Sequence, residues 1–134
     1  MFYFSNASIN KMKGIHPKLI LFLGELIQIS PYDFRITQGV RTAEEQNKLY
    51  QQGRTTEGDI VTNCDGYTNK SNHQTKNDGL GYAVDIFCLA NGGTWDSKYY
   101  EAIAYVARPL MKKYGVNWGG DWKMKDLPHF ELRK

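Results

Sequence analysis

The sequence is predicted to fold as a single α+β domain, because segments with helical periodicity alternate along the chain with segments of strand character. Its 134 residues and 41% hydrophobic content supply one core but not two. No internal repeat and no Pro/Gly/Ser-rich linker divides the chain. We therefore expect residues 1–134 to form one domain, without a separate accessory domain. These patterns do not determine the order of the strands.

The first predicted helix covers residues 17–29, where leucine and isoleucine recur at helical spacing. It starts with Pro17, which suits a first helical turn because it has no N–H to leave unpaired. Residues 34–40 alternate and include β-branched side chains, which predicts a strand that ends at Arg41.

A second helix is predicted directly after this strand. Thr42 and Glu45 have the spacing of a capping box, so the helix begins there, runs through Tyr50 and is closed by Gly53. Residues 54–80 show no sustained period and are rich in Gly, Asn, Thr and Asp. Unpatterned stretches of this length in a small domain are often functional.

The C-terminal half predicts a long helix and a final short strand. Asp96 can cap a helix over residues 97–114 that Gly115 terminates, and Pro109 is expected to kink or break it. Residues 128–132 alternate polar and apolar side chains, as a last strand would.

Charge, cysteine content and hydropathy exclude several classes of protein. The net charge of +3 is dispersed, so we expect no nucleic-acid partner. Cys64 and Cys88 lack CxxC spacing and are predicted to be structural, with Cys88 in the core. No signal peptide and no apolar run of transmembrane length is visible. We expect a monomer made in the cytoplasm without a signal peptide or membrane span.

Three residues can form a metal site. Residues 82–89 read as a buried strand, yet Asp85 stands in their middle, and a buried carboxylate usually has a cation or strong donors nearby. Of the three histidines, His73 lies in the long loop and His129 in the last strand, whereas His16 precedes a helix and is taken as structural. Two histidines and one carboxylate are a common catalytic zinc set. The alternative is that each histidine is a surface or hydrogen-bonded residue and that Asp85 accepts backbone hydrogen bonds.

The sequence motifs around these residues resemble those of the LAS metallopeptidases, the group of lysostaphin, the D-Ala-D-Ala peptidases and the Hedgehog-like domains. Their SxHxxGxAxD signature is similar to Ser71-Asn-His73 with Gly81-Tyr-Ala83-Val-Asp85, and their second motif to Asp126-Leu-Pro-His129-Phe-Glu131. Further segments resemble the L-alanyl-D-glutamate endopeptidase branch, which includes bacteriophage endolysins: Gln38-Gly-Val-Arg41-Thr, Glu45-Gln46, Leu49-Tyr50, Gly53-Arg-Thr55, Val61-Thr-Asn63 and Trp118-Gly-Gly-Asp-Trp122. The resemblance covers residues 14–132.

The chain departs from the signature at one place. His73 and Asp85 are twelve positions apart, and residues 74–78 are the apparent insertion. Either the insertion bulges from the loop and leaves both ligands in place, or Asp78 stands where the ungapped pattern puts the histidine. The intact Ser-x-His triplet and the preference of zinc for imidazole favour His73.

The resemblance implies an LAS-type (Hedgehog-like) fold, with an antiparallel sheet, helices on one side and a zinc cleft on the face of the sheet. It implies one Zn²⁺ ion held by His73, Asp85 and His129. Trp118 and Trp122 are expected in the core or in the wall of the cleft.

The resemblance also implies roles for the surrounding residues. Asp126 would be the general base, and Arg41 would stabilise the oxyanion or clamp a substrate carboxylate. Ser71 would position the substrate or a ligand, and Glu131 would support a metal ligand.

The implied function is cleavage of the L-Ala–D-Glu bond in peptidoglycan stem peptides by a phage endolysin, which a holin-type partner releases to the cell wall. The main alternative is a D-Ala-D-Ala carboxypeptidase or dipeptidase on the same scaffold. A non-catalytic zinc-binding or wall-binding module is a further alternative, which the presence of Asp126 and Arg41 disfavours.

Overall fold

A computed structural model describes residues 1–133 as four helices and a four-stranded antiparallel sheet. In chain order the elements are α1 (Asn6–Lys11), α2 (Pro17–Ile29), β1 (Phe34–Gln38), α3 (Ala43–Gln51), β2 (Ala83–Cys88), α4 (Ser97–Tyr114), β3 (Val116–Trp118) and β4 (His129–Leu132). Short 3₁₀ turns lie at Ala90–Gly92 and Gly119–Asp121. The predicted α+β class and antiparallel sheet are confirmed.

The sheet has the order β1-β2-β4-β3, with every neighbouring pair antiparallel. Successive side chains of a strand point to opposite faces, and the burial of the strands follows that alternation. One face carries the core side chains of all four strands: Phe34, Ile36, Val84, Ile86, Cys88, Val116, Trp118, Phe130 and Leu132. The opposite face carries the polar positions of β2 and β4, including Asp85, His129 and Glu131. The sheet therefore separates the hydrophobic core from the polar cluster.

The core lies between the sheet and the pair α2 and α4. The two helices pack against each other, and Phe22 of α2 contacts Phe130 of β4 with ring centroids 5.7 Å apart. The hydroxyl of Tyr100 in α4 accepts a hydrogen bond from the backbone N–H of Cys88, which ties the helix to β2. Cys88 is a buried core residue, as expected, and both cysteines are free thiols.

Most predicted boundaries agree with the structure within two residues. Helices α2 and α4 have the predicted limits, and the capping box at the start of α3 is formed. Residues 54–80 contain no helix or strand, as predicted. Strand β1 ends at Gln38, three residues before the predicted end at Arg41, because Gly39 turns away and packs so closely against the carbonyl oxygen of Lys11 that a Cβ would lie 1.9 Å from it.

Three features differ from the sequence prediction. Helix α1 and strand β3 were not predicted, because six and three residues are too short to show a period. Helix α4 continues through Pro109 as one 18-residue helix, so of the expected kink or break, the break is wrong. Pro109 lies on the exposed side of a helix whose other side is buried, and that burial outweighs one missing backbone hydrogen bond.

None of the helices within residues 1–133 combines the length and the apolar character that crossing a bilayer requires.

Candidate metal centre

The sheet brings two of the predicted metal ligands face to face. Asp85 in β2 and His129 in β4 are direct cross-strand partners in the antiparallel register. Both point away from the hydrophobic core, and the Nδ1 atom of His129 lies 3.2 Å from Oδ1 of Asp85. Strand pairing alone therefore positions one imidazole beside one carboxylate.

The long loop supplies the third predicted ligand. His73 is buried, and its Nδ1 atom lies 2.9 Å from the carbonyl oxygen of Gly39. A carbonyl oxygen only accepts hydrogen bonds, so Nδ1 carries the proton and the lone pair of His73 is on Nε2. That Nε2 atom is buried, makes no hydrogen bond within the described residues and lies 3.4 Å from Oδ1 of Asp85. A buried acceptor without a donor is unfavourable unless a cation or proton fills the space.

The donor atoms of His73, Asp85 and His129 lie close enough together to hold one metal ion. They lie within 4.8 Å of one another. Zinc bonds of about 2.0–2.2 Å in tetrahedral geometry place neighbouring ligand atoms about 3.4 Å apart. The distances of 3.4 Å and 3.2 Å from Asp85 Oδ1 to the two histidines match that value closely. The three residues therefore fit a metal ion, which would bind Nε2 of His73 and Nδ1 of His129.

Glu131 orients the second histidine. Its Oε1 atom lies 2.8 Å from Nε2 of His129, which leaves Nδ1 facing Asp85. Burial alone would lower the pKa of His129, but hydrogen bonds to Asp85 and Glu131 outweigh it and raise the pKa to about 9. Burial likewise works to raise the pKa of Glu131, and its hydrogen bonds with His129 and Asn72 hold it below the usual range.

Arg41 holds the carboxylate ligand from the other side. Its Nη2 atom donates to Oδ2 of Asp85 at 3.1 Å, so that Oδ1 is left for the histidines. Its Nε and Nη1 atoms donate to Gln38 and Gln46, both at 3.1 Å. Burial lowers the pKa of Arg41 and would raise that of Asp85, yet the contacts of Asp85 with His129 and His73 hold its pKa well below the usual range.

Gln46 is a functional candidate whose role the sequence did not reveal. It is fully buried in α3, where its side-chain oxygen accepts from Arg41 and its amide donates to Thr62 and to the carbonyl of Cys64. Gln46 therefore connects Arg41 to the long loop. Its place in the Glu45-Gln46 segment of the family resemblance was the available sequence signal, but the contact with Arg41 depends on the tertiary fold.

Asp126 approaches the site from the turn before β4. Its Oδ2 atom lies 3.7 Å from Nδ1 of His129, and about half of its side chain is exposed. Burial and the nearby charge of Asp85 raise its pKa, against the opposing influence of His129 and other cations. Gly119 fixes this turn: Asp126 N–H donates to its carbonyl, and a Cβ at Gly119 would lie 2.2 Å from the Asp126 carbonyl oxygen. The turn thus presents a carboxylate with a raised pKa to the cleft.

The remaining predicted residues take distinct places. Ser71 accepts a hydrogen bond from the backbone N–H of His73 and so shapes the turn that carries this ligand. Asp78, the alternative ligand, instead contacts the hydroxyl of Tyr82 at 2.6 Å and lies outside the metal cluster. Trp118 is in the core, and the ring of Trp122 packs against His129 at a centroid distance of 4.9 Å, forming a wall of the cleft.

A polar cavity of about 690 Å³ lies beside the segment that carries His73. It is lined by eleven residues between Tyr67 and Tyr82, among them Lys70, Ser71, Asn72 and Lys76. All five residues of the predicted insertion, 74–78, contribute to this lining.

Together, the sheet and the site define a small α+β domain with a His–Asp–His group that could hold a metal ion, an adjacent carboxylate and a mostly buried arginine, the set of groups that metal-dependent hydrolases use. The chain belongs to the phage L-alanyl-D-glutamate peptidase family, whose model matches residues 1–133. The resemblance found in the sequence motifs is thereby confirmed, and with it the enzyme class, a peptidase.

Individual relatives agree with this assignment. The peptidoglycan L-alanyl-D-glutamate endopeptidase CwlK of Bacillus subtilis (strain 168) is 36% identical over 112 residues, which are 75% of this chain and 60% of the relative. The L-alanyl-D-glutamate peptidase of Escherichia phage T5 is 26% identical over 137 residues, covering 99% of this chain and 90% of the relative. The chain thus spans less than two thirds of the Bacillus protein but most of the phage protein.

A solved structure supports the fold. The L-Ala D-Glu endopeptidase ChiX of Serratia marcescens superposes with a TM-score of 0.74 at 29% sequence identity, covering 98% of this chain and 90% of that one. The LAS-type architecture implied by the sequence motifs is therefore confirmed.

Proposed function

We propose that this protein is a zinc-dependent endopeptidase that hydrolyses the L-Ala–D-Glu bond of peptidoglycan stem peptides. The observation that carries the proposal is the buried Nε2 atom of His73, which makes no hydrogen bond within the described residues and points into a cluster with Asp85 and His129. The names of the family and of its relatives support the choice of bond.

The donor set favours one zinc ion. Two neutral imidazoles and one carboxylate are a common protein ligand set for catalytic zinc, whereas magnesium and calcium prefer oxygen ligands. When bound, the ion would supply Lewis-acid polarisation of the scissile carbonyl and a lower pKa for the attacking water. Asp85 is the only anionic ligand among the three, so the site would retain a net positive charge.

Asp126 is proposed as the general base and acid. Its carboxylate takes the proton from the water as the new C–O bond forms at the carbonyl of L-Ala, and returns it to the nitrogen of D-Glu as the C–N bond breaks. The raised pKa of Asp126 suits both steps, because burial and the charge of Asp85 strengthen its affinity for the proton. Its partial exposure leaves it accessible to water and substrate.

We propose two roles for Arg41: it holds the carboxylate of Asp85 in place, and it binds the substrate. Three of its five N–H donors are used by Gln38, Gln46 and Asp85. The remaining two are available to stabilise the oxyanion or to bind a carboxylate of the substrate. Its hydrogen bonds fix the plane of the guanidinium group, so no further ordering is needed when the substrate arrives.

The biological role that we propose is host-cell lysis by a phage endolysin, supported by a family model of phage proteins and by the phage T5 relative. The protein would reach the cell wall with the help of a holin-type partner that permeabilises the membrane. Cells expressing the protein should then lyse only after their membrane is permeabilised, and lysis without that step would contradict the need for a partner.

The bond can be tested by mass spectrometry of digested wall fragments. The purified protein with one equivalent of zinc should release peptides that begin with D-Glu and leave L-Ala on the sugar. A chelator should abolish this cleavage, and added zinc should restore it. Release of free D-Ala without cleavage after L-Ala would instead identify a D-Ala-D-Ala carboxypeptidase or dipeptidase. Zinc binding without any cleavage would identify a non-catalytic module.

A further inference from the structure

A chain of hydrogen bonds runs from the metal cluster to the insertion at residues 74–78. Glu131 holds His129 through Oε1, and its second oxygen, Oε2, accepts a hydrogen bond from Nδ2 of Asn72 at 2.8 Å. The side-chain oxygen of Asn72 in turn accepts from Nζ of Lys76 at 2.7 Å. Lys76 stands in the middle of the insertion that distinguishes this chain from the signature of its family.

We propose that Asn72 and Lys76 are positioning residues for the metal centre, through which the insertion strengthens the binding of zinc by His129. The proposal rests on the zinc site of the proposed function. We name this chain of contacts, Lys76–Asn72–Glu131–His129, the insertion relay.

The chemistry of the four groups determines the direction of every hydrogen bond in the insertion relay. An ammonium group only donates and a carboxylate only accepts, so the amide of Asn72 must turn its oxygen to Lys76 and its nitrogen to Glu131. Glu131 then accepts from both Asn72 and His129. Hydrogen bonds in such a row polarise one another, so the charge of Lys76 makes Asn72 a stronger donor to Glu131.

The charge balance explains why a cation is useful at this position. Only 17% of the Glu131 side chain is exposed, so its carboxylate depends on protein groups rather than on water for its hydrogen bonds. Lys76 places a positive charge one amide away, which strengthens the hydrogen bond from Asn72 to Glu131 and holds the carboxylate in place beside His129. Partners of this kind orient a ligand imidazole and raise its basicity.

The position of Lys76 is well defined by its surroundings. Its backbone N–H donates to the carbonyl of Leu80, and its carbonyl accepts from the N–H of Gly79. Its Nζ atom also lies 5.1 Å from the centre of the Tyr82 ring. The insertion is therefore closed by its own hydrogen bonds, and Lys76 is directed towards Asn72.

Zinc affinity, measured by competition with a chromogenic chelator, tests the insertion relay. We expect Asn72→Leu to weaken zinc binding about tenfold, within the range known for outer partners of metal ligands. Lys76→Met should weaken it about threefold, and Lys76→Arg, which keeps a donor and a positive charge, should restore it. Lys70→Met is the matched control: Lys70 lines the same cavity and carries the same charge but is not part of the relay, so its affinity should stay within about twofold of the wild type.

Thermal unfolding of the metal-free variants separates positioning from stability. If Asn72 and Lys76 have a purely structural role, Asn72→Leu and Lys76→Met will lower the unfolding temperature of the metal-free protein but leave the zinc affinity of the folded protein unchanged. That result would overturn the relay. Equal zinc affinities of Lys76→Met and Lys70→Met would overturn it as well.

The relay and the proposed function fail in different ways. A wild-type protein that binds zinc with the expected differences between variants, but leaves the L-Ala–D-Glu bond intact, would support the relay and contradict the function. If the wild type cuts this bond, but Lys76→Met and Asn72→Leu bind zinc as tightly as the wild type does, the function is supported and the relay is overturned. A wild type that binds no zinc would overturn both.

Discussion

Zinc and a proton compete for the Nδ1 atom of His129, so we expect the zinc affinity of the protein to depend steeply on pH. This atom faces Asp85 at 3.2 Å and Asp126 at 3.7 Å, while Glu131 holds the other ring nitrogen. These carboxylates raise the pKa of His129 to about 9 despite its burial. Without a metal ion, His129 is therefore protonated at neutral pH.

The size of the effect follows from that pKa. At pH 7, two units below a pKa of about 9, proton competition reduces the apparent zinc affinity about 100-fold relative to its plateau. The affinity should rise about tenfold per pH unit from pH 7 to 9 and then level off. A histidine with the ordinary pKa of about 6.5 would level off before pH 7.5.

Isothermal titration calorimetry in buffers of different ionisation enthalpy measures this competition directly. We expect about one proton to be released per zinc ion bound at pH 7. The control is Glu131→Gln, which removes one of the carboxylates that raise the pKa of His129 and should move the plateau to lower pH. An affinity that stays within about twofold from pH 7.5 to 9, without proton release, would refute the assignment of His129 Nδ1 as the metal-binding atom.

Three substitutions test the residues around the metal centre. Asp126→Asn should still bind zinc but lower the rate of stem-peptide hydrolysis by about 10²- to 10⁴-fold, and near-normal hydrolysis would remove Asp126 from its role as the base. Gly119→Ala should reduce hydrolysis at least about tenfold, because its Cβ would collide with the carbonyl of Asp126. The control is Gly24→Ala, which should hydrolyse the substrate normally because its Cβ meets nothing within 4 Å. Gln46→Leu should lower the free energy of unfolding by about 1–3 kcal/mol in urea titrations, since it removes the acceptor of Arg41 Nη1 and the donor to the carbonyl of Cys64. An unchanged value would contradict the importance of these bonds.

The long helices and the longer strands could be predicted from sequence because their signals are local. Helix α2 shows its period within thirteen residues behind a proline, and α3 carries its capping box in four. Helix α1 and strand β3 are stabilised by packing on the rest of the fold, so short segments alone do not reveal them. The pairing of β2 with β4, which places Asp85 opposite His129, is a long-range register that no local pattern encodes.

The residues of the candidate site likewise fall into two groups, those that the sequence could identify and those that it could not. Asp85 could be singled out because a carboxylate inside an apolar strand conflicts with its surroundings, and His73 and Asp126 stand in recognisable motifs. The hydrogen bond from Gln46 to Cys64 and the contact between Asn72 and Glu131 could not be predicted, because they join residues 18 and 59 positions apart in the chain. The choice between His73 and Asp78 likewise needed coordinates, since it depends on how the insertion folds back.

Diffraction from crystals of the zinc-loaded protein, with anomalous data at the zinc absorption edge, would test the central claim most directly. We predict one zinc peak about 2.0–2.2 Å from Nε2 of His73, Oδ1 of Asp85 and Nδ1 of His129. A zinc ion held by Asp78 in place of His73, or one bound elsewhere in the protein, would contradict the proposed metal centre.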